Sequence, residues 1–234
     1  MKNLEVKYLD LGVSEYKITW DKQEELLNQI VKIKMDNGSS EEESDVATPN
    51  YLIFVEHPHV YTLGKSGDEH NLLLNYIQLQ AKDAVFFKTD RGGDITYHGP
   101  GQIVGYPILD LENFGMGLRQ YIYSIEEAII RVLALYGLSA MRDPHATGVW
   151  LDVGKPQARK ICAIGVKSSR FVTMHGFALN INTNLEYFKY INPCGFSDKG
   201  VTSLEKELGS KQDFERVKKL VLEKFAEIFG STVV

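Results

Sequence analysis

Cysteine is nearly missing from this chain: Cys162 and Cys194 are the only two in 234 residues. Two cysteines do not make a disulfide scaffold, and they lack the close pairing of a zinc site. Long apolar runs are missing too. No window approaches the ~18 apolar residues of a membrane span, so no membrane attachment is expected. The opening MKNLEVKYLD lacks the apolar core of a signal peptide. Excess basic charge is also lacking, since 26 Lys and Arg face 31 Asp and Glu for a net charge of −5. That balance argues against a protein that neutralises a nucleic-acid backbone. There is no internal repeat and no composition break marking a second domain. The expectation is a cytoplasmic protein with reduced thiols.

What is present suits one domain over residues 1–234, with 44% hydrophobic and 24% charged residues supporting a substantial core. Residues 4–8 alternate as an opening strand. Leu26, Ile30 and Ile33, with Leu27 and Val31, mark a helical stripe ending near Gly38. The polar, acidic stretch 37–50 reads as a surface loop. Residues 51–57 form an apolar run expected to be a buried strand, followed by the short segment VYTLG. Residues 70–82 read as a helix, 84–89 as a strand and 102–111 as a strand pair or bend. Leu118, Ile122, Ile125, Ile129, Val132 and Tyr136 predict a helix over 118–136, stopped by Gly137. Strands are expected near 148–152, 159–168 and 173–182, and a last helix over 213–229. This irregular order predicts a mixed α/β (α+β) fold, a mixed sheet flanked by helices.

Three segments carry chemistry. RGGDITYHGPGQIVGYP (91–107) packs five glycines and two prolines between strands, where the backbone turns tightly and can approach a ligand. It lacks the ending of a phosphate-binding loop and the order of a dinucleotide site, so a structural hairpin fits equally. In ARKICAIGVKSSRFVTMHGFALNINTN (158–184), strand alternation puts Lys160, Cys162 and Ile164 on one side. A lysine there is costly unless paired or open to a cavity, although a snorkelling edge lysine fits as well. In INPCGFSDKGVTSL (191–204), Pro193 and Gly195 set Cys194 on a turn, suited either to attack or to an inert role.

Taken together, these segments resemble the lipoyl(octanoyl) transferase family. Arg91-Gly92-Gly93-Asp94-Ile95-Thr96-Tyr97-His98, then Gly101-Gln102 and Tyr106, is similar to its signature. Lys160-Ile161-Cys162-Ala163-Ile164-Gly165 and His175-Gly176-Phe177-Ala178-Leu179-Asn180 resemble its second motif. Asn192-Pro193-Cys194-Gly195 is similar to its catalytic turn, and His57-Pro58 with Val60-Tyr61-Thr62-Leu63-Gly64 to its N-terminal strand and loop. The resemblance spans roughly residues 51–208. It implies that Cys194 carries an acyl thioester and that Lys160 lowers its pKa; the two half-reactions of acyl transfer add the expectation that Lys160 shuttles a proton. It also implies that Arg91 to His98, Ala163, Ile164, Gly165, Gly176, Phe177 and Ala178 line an acyl pocket, on a core shared with biotin and lipoate protein ligases. The implied donor is octanoyl-acyl carrier protein. The implied acceptors are lipoyl domains of 2-oxoacid dehydrogenase subunits and the glycine cleavage H protein. No cofactor, metal or nucleic acid is implied, and a monomer is expected.

The chemistry requires such a pair. A free thiol near pKa ~8.5 is only a few per cent ionised at neutral pH. An ammonium at about 4 Å contributes on the order of 4 kcal/mol at an effective dielectric near 20, whereas a shift of about 2 units needs only ~3 kcal/mol. Cys162 is the rival nucleophile, but its i, i+2 separation from Lys160 on a strand is about 6.5 Å. His98 and His175 are expected to shape the pocket. His57 and His59 share a strand face, yet no third metal ligand is evident. Lys155, Arg159, Lys167 and Arg170 are candidates for a basic docking rim, or for ordinary solvated charge. Alternatives are an ATP-dependent lipoate or biotin protein ligase, an octanoyl amidotransferase or hydrolase using the same cysteine, and a non-catalytic acyl-binding module.

Overall fold

The computed structural model describes residues 2–39, 46–192 and 200–234. Residues 40–45 of the acidic loop and 193–199, including the predicted nucleophile Cys194, lie outside the described residues. Elements run β1 (Glu5–Val13), α1 (Tyr16–Ser39), β2 (Asn50–Glu56), β3 (Val60–Leu63), α2 (Tyr76–Gln80), β4 (Val85–Lys88), β5 (Ile95–His98), β6 (Gln102–Ile108) and α3 (Leu118–Leu135). They continue with β7 (Ala140–Asp143), β8 (Ala146–Leu151), β9 (Arg159–Ser169), β10 (Val172–Asn180), β11 (Gly200–Val201), α4 (Leu204–Leu208), α5 (Phe214–Phe229) and β12 (Thr232–Val233).

A mixed sheet runs in the order β12-β1-β2-β6-β10-β9-β8-β7, with β11 pairing in parallel with the start of β9. A second sheet, β4-β3-β5, carries the Gly-rich segment. The apolar stripes explain the layers. Ile125, Ile129 and Val132 of α3, with Val217, Val221 and Phe225 of α5, bury one face of the large sheet against Leu52, Phe54, Ile103 and Leu179. Leu26, Leu27 and Ile30 of α1 cover the other face through Ile53, Val104, Ile108 and Met174. Each such side chain, fully buried, contributes about 1.5–3 kcal/mol. A smaller cluster around Tyr61, Tyr97 and Ile95 holds the second sheet beside the site.

Several expectations need correction. Residues 70–82 do not form one helix. Leu72 bridges Ile191 and the Leu73 amide donates to the Tyr190 carbonyl, so tertiary pairing keeps this stretch extended. Helix then starts only after Asn75, whose side chain forms a reciprocal capping box with Gln78. Residues 102–108 form one strand rather than a pair. The third correction concerns β9. A register shift between Val149 and Trp150 places Cys162 opposite Val149 but Lys160 opposite Trp150. The extra residue breaks the alternation there. Lys160 and Cys162 therefore do not share a face.

The β9–β10 hairpin closes through Arg170 (φ 49°) and Phe171 (φ 64°). Two positive φ values form the type I′ pattern that Asn-Gly satisfies without Cβ strain. Phe171 is 53% exposed. Replacing Phe171 by glycine is expected to raise stability by about 0.5–1 kcal/mol, measured by urea denaturation. A loss of stability would show that the phenylalanine ring contributes more than its backbone costs.

Candidate functional site

On the α1 side of the large sheet, the paired residues facing outward are small. Gly176 stands opposite Gly165, and Ala178 opposite Ala163. This hollows the sheet face. A Cβ on Gly176 would fall 2.1 Å from the Gly105 carbonyl oxygen, so no larger residue fits there without moving β6. The result is a cavity of about 300 Å³ between the two sheets, within the range of small-ligand sites.

The cavity brings together most of the residues expected from the sequence. Arg91, Gly93, Asp94, Ile95, Thr96 and His98 line it from the Gly-rich segment. Ala163, Ile164, Gly165, Gly176, Phe177 and Ala178 form the sheet wall, and Lys160 stands at one end. Gly92 does not line it; it packs against Gly165 and donates its amide to the Val166 carbonyl. Tyr97 faces the opposite side of β5. Strand alternation turns it against Tyr61 and Tyr187, and its hydroxyl bonds His59 Nδ1 at 2.7 Å. Sequence reasoning missed Tyr16, Trp150, Phe188, Ile191 and the His145–Thr147 turn. Tyr16 comes from the start of α1 and had no local signal, because only the tertiary fold carries it to the cavity.

Arg91 is buried, and its guanidinium donates to the carbonyls of Thr62 (2.6 Å), Asp94 (2.7 Å) and Gly92 (3.0 Å). It locks the Gly-rich turn to β3. Asp94 accepts from the Ile95 amide at 2.7 Å and from Asn71 at 2.8 Å, tying the same turn to residues 69–71.

The buried histidines are neutral. His98 donates from Nδ1 to Gln102 Oε1 at 2.9 Å. Gln102 then donates to Asn180 Oδ1 at 2.8 Å, and Asn180 to the Thr202 carbonyl at 2.9 Å. Burial pushes His98 down to about 3, with His57 nearby adding to the shift. His175 has φ 56° and donates from Nε2 to Asp90 at 2.8 Å; burial outweighs the carboxylate and holds it at about 4. Rings this weakly basic orient groups and do not accept a proton from an amine at neutral pH. His57 donates to the Ser14 carbonyl (2.7 Å) and accepts from Tyr106 (2.9 Å), whereas His59 stacks on Tyr187. The pair therefore sit in separate environments, and no metal-binding group occurs among the described residues.

Cys162 is fully buried on the other face of the sheet, among the residues beneath α3 and α5. Burial pushes its thiol far above the usual cysteine range. A thiol so placed is an inert core residue. Of the four candidates for a basic rim, three are ion-paired: Lys155 with Asp152, Arg159 with Asp152 and Glu207, and Lys167 with Asp90. No helix among the described residues is long and apolar enough to cross a membrane.

Residues 15–226 match the lipoyl protein ligase A/B catalytic domain family. The chain is 58% identical over 233 residues to the octanoyltransferase of Flavobacterium johnsoniae, covering 99% of this chain and 100% of that protein. It is 56% identical over 228 residues to the octanoyltransferase of Christiangramia forsetii, covering 97% of each. A bipartite lipoate protein ligase from Thermoplasma acidophilum has a TM-score of 0.65 at 14% identity, covering 100% of this chain and 88% of that one, which shows a shared fold.

Proposed function

The chain belongs to the lipoyl protein ligase A/B catalytic family and is an acyltransferase acting in octanoyl transfer for lipoylation, and from that premise we propose that octanoyl passes from an acyl carrier protein, through a Cys194 thioester, to a lysine of a lipoyl domain. One observation carries this reading. Ile191, Gly200 and Val201, on either side of the segment holding Cys194, line the same cavity as Lys160, while Cys162 is turned into the core. The proposed acceptors are lipoyl domains of 2-oxoacid dehydrogenase subunits and the glycine cleavage H protein, and the chain acts as a monomer in the cytoplasm. Residues 1–234 work as one octanoyltransferase domain.

In the first half-reaction the Cys194 thiolate attacks the carrier thioester carbonyl, and the carbon–sulfur bond to the carrier breaks. The carrier leaves as a thiolate and takes up a proton. In the second, the acceptor lysine amine attacks the Cys194 thioester. The carbon–sulfur bond breaks, an amide forms, and the amine proton returns through Lys160 to the cysteine sulfur. Lys160, as an ammonium, stabilises the thiolate in both steps. Arg91 to His98 and the sheet wall of Ala163 to Gly165 and Gly176 to Ala178 shape the acyl pocket, with Gly92 and Tyr97 supporting it from outside the lining.

The test is transfer from octanoyl-loaded carrier protein to a lipoyl domain without ATP, beside Cys194→Ser. Transfer that is lost in Cys194→Ser is the expected result. Acylation that appears only with free octanoate and ATP would overturn the proposal in favour of a ligase.

A further inference from the structure

The β9 bulge that separates Lys160 from Cys162 has a second effect. It sets Trp150 directly opposite Lys160 across the β8–β9 ladder, and directly opposed residues project from the same side of a sheet. The Lys160 ammonium lies over the Trp150 ring, 4.7 Å from its centroid. Trp150 is 3% exposed. Its Nε1 donates to the Ala146 carbonyl at 2.8 Å, so the indole cannot turn its face away. Two residues earlier, Gly148 has φ +125°, and a Cβ there would sit 2.6 Å from the Cys162 carbonyl and 3.4 Å from Lys160 Cε. The Cys162 carbonyl excludes a side chain there, and the lysine stem passes at ordinary contact distance on its way to the indole.

We infer that Trp150 is a positioning residue for the acyl-transfer site, its indole face holding the Lys160 ammonium charged and aimed into the cavity. Tryptophan offers the strongest aromatic face for a cation, and a desolvated site increases its effect. The inference rests on the transferase reading for its catalytic consequence, but the pairing itself does not. Among the described residues, the charged and titratable groups around Lys160 come from several elements. Glu126, paired with Arg142, comes from α3; His145 comes from the β7–β8 turn; Arg91, Asp94, His98 and His175 stand across the cavity. Substituting Trp150 changes none of these charges, so a moved titration reports the indole.

The experiment is the pH dependence of single-turnover discharge of the octanoyl-Cys194 enzyme to a lipoyl domain, the half-reaction in which Lys160 moves a proton, in the wild type, Trp150→Leu and Trp150→Phe. Losing the indole makes the ammonium easier to deprotonate. The basic limb is therefore expected about 1 pH unit lower in Trp150→Leu, with Trp150→Phe between the two. An unmoved basic limb in Trp150→Leu, whatever its rate, would overturn the inference and leave Trp150 as packing alone. A second measurement is independent of turnover and keeps an intact indole. Trp20 and Trp150 are the two tryptophans, so Trp20→Phe isolates the emission of Trp150. That emission is expected to change as Lys160 deprotonates, and the change is expected to vanish when Lys160→Met is added. Persistence of the same inflection with methionine at 160 would refute the pairing. If no octanoyl-enzyme forms even in the wild type, the transferase reading fails, and the emission titration alone decides the contact.

Discussion

Lys160→Ala is expected to slow Cys194 acylation roughly 20-fold at pH 7, with the deficit closing by about pH 9. The size follows from ionisation. An unassisted thiol is only a few per cent thiolate at neutral pH, and a shift of 1.5 to 2 units brings it to about half or more. Raising the pH restores the thiolate without the lysine. Discharge to the acceptor is expected to fall further, about 10²-fold, because the incoming amine also loses its proton carrier. Lys160→Arg separates the two roles. Its guanidinium keeps the charge but cannot give up a proton, so acylation is expected to survive within a few-fold while discharge remains depressed. Rapid-quench measurement of each half-reaction checks both. Full-rate acylation at pH 7 in Lys160→Ala would contradict the assigned role.

How much of this was legible in the sequence depends on whether an interaction was local. The stripe Ile125, Ile129 and Val132 and the stripe Val217, Val221 and Phe225 gave α3 and α5 nearly to the residue, because each helix buries one continuous face. The wall formed by Ala163, Gly165, Gly176 and Ala178 came from motif resemblance, and the strand register explains why those residues are small. Alternation failed at Lys160 and Cys162 because a one-residue bulge reverses facing and leaves no mark in the hydrophobic pattern. The same limit hid the Trp150–Lys160 contact. Tyr16 was invisible for another reason: α1 packs over the sheet, and nothing near residue 16 encodes that approach. The break between Asn71 and Asn75 likewise reflects pairing with residues 190–192, which overrides local helix preference.

A second large effect concerns acid. His57, His98 and His175 are buried as neutral rings, held at about 4, about 3 and about 4 against an ordinary 6.5. The unfolded chain takes up protons that the folded one refuses. Their stabilisation is therefore complete above pH 6.5, declines as pH falls below it, and levels off near pH 4 for His57 and His175 and near pH 3 for His98. Each ring contributes up to roughly 1.4 kcal/mol per pH unit in that window. From pH 6.5 to 5 the three together account for several kcal/mol, a large part of a typical domain's 5–15 kcal/mol. The lowered carboxyl of Asp90 loses its contribution only below the usual Asp range, so it does not mask the slope. Urea midpoints are expected to drop steeply between pH 6.5 and 5, with a slope about one third shallower in His57→Gln. A flat profile across that window would mean that the rings accept protons in the folded state.

The central claim is that one thiol, and not the other, carries the acyl group. It is tested most directly by intact mass and peptide mapping of the protein after incubation with octanoyl-loaded carrier protein. The account predicts a single octanoyl adduct on the Cys194 peptide, retained in Cys162→Ser and discharged by adding a lipoyl domain. An adduct on the Cys162 peptide, or none on either cysteine while transfer proceeds, would contradict it.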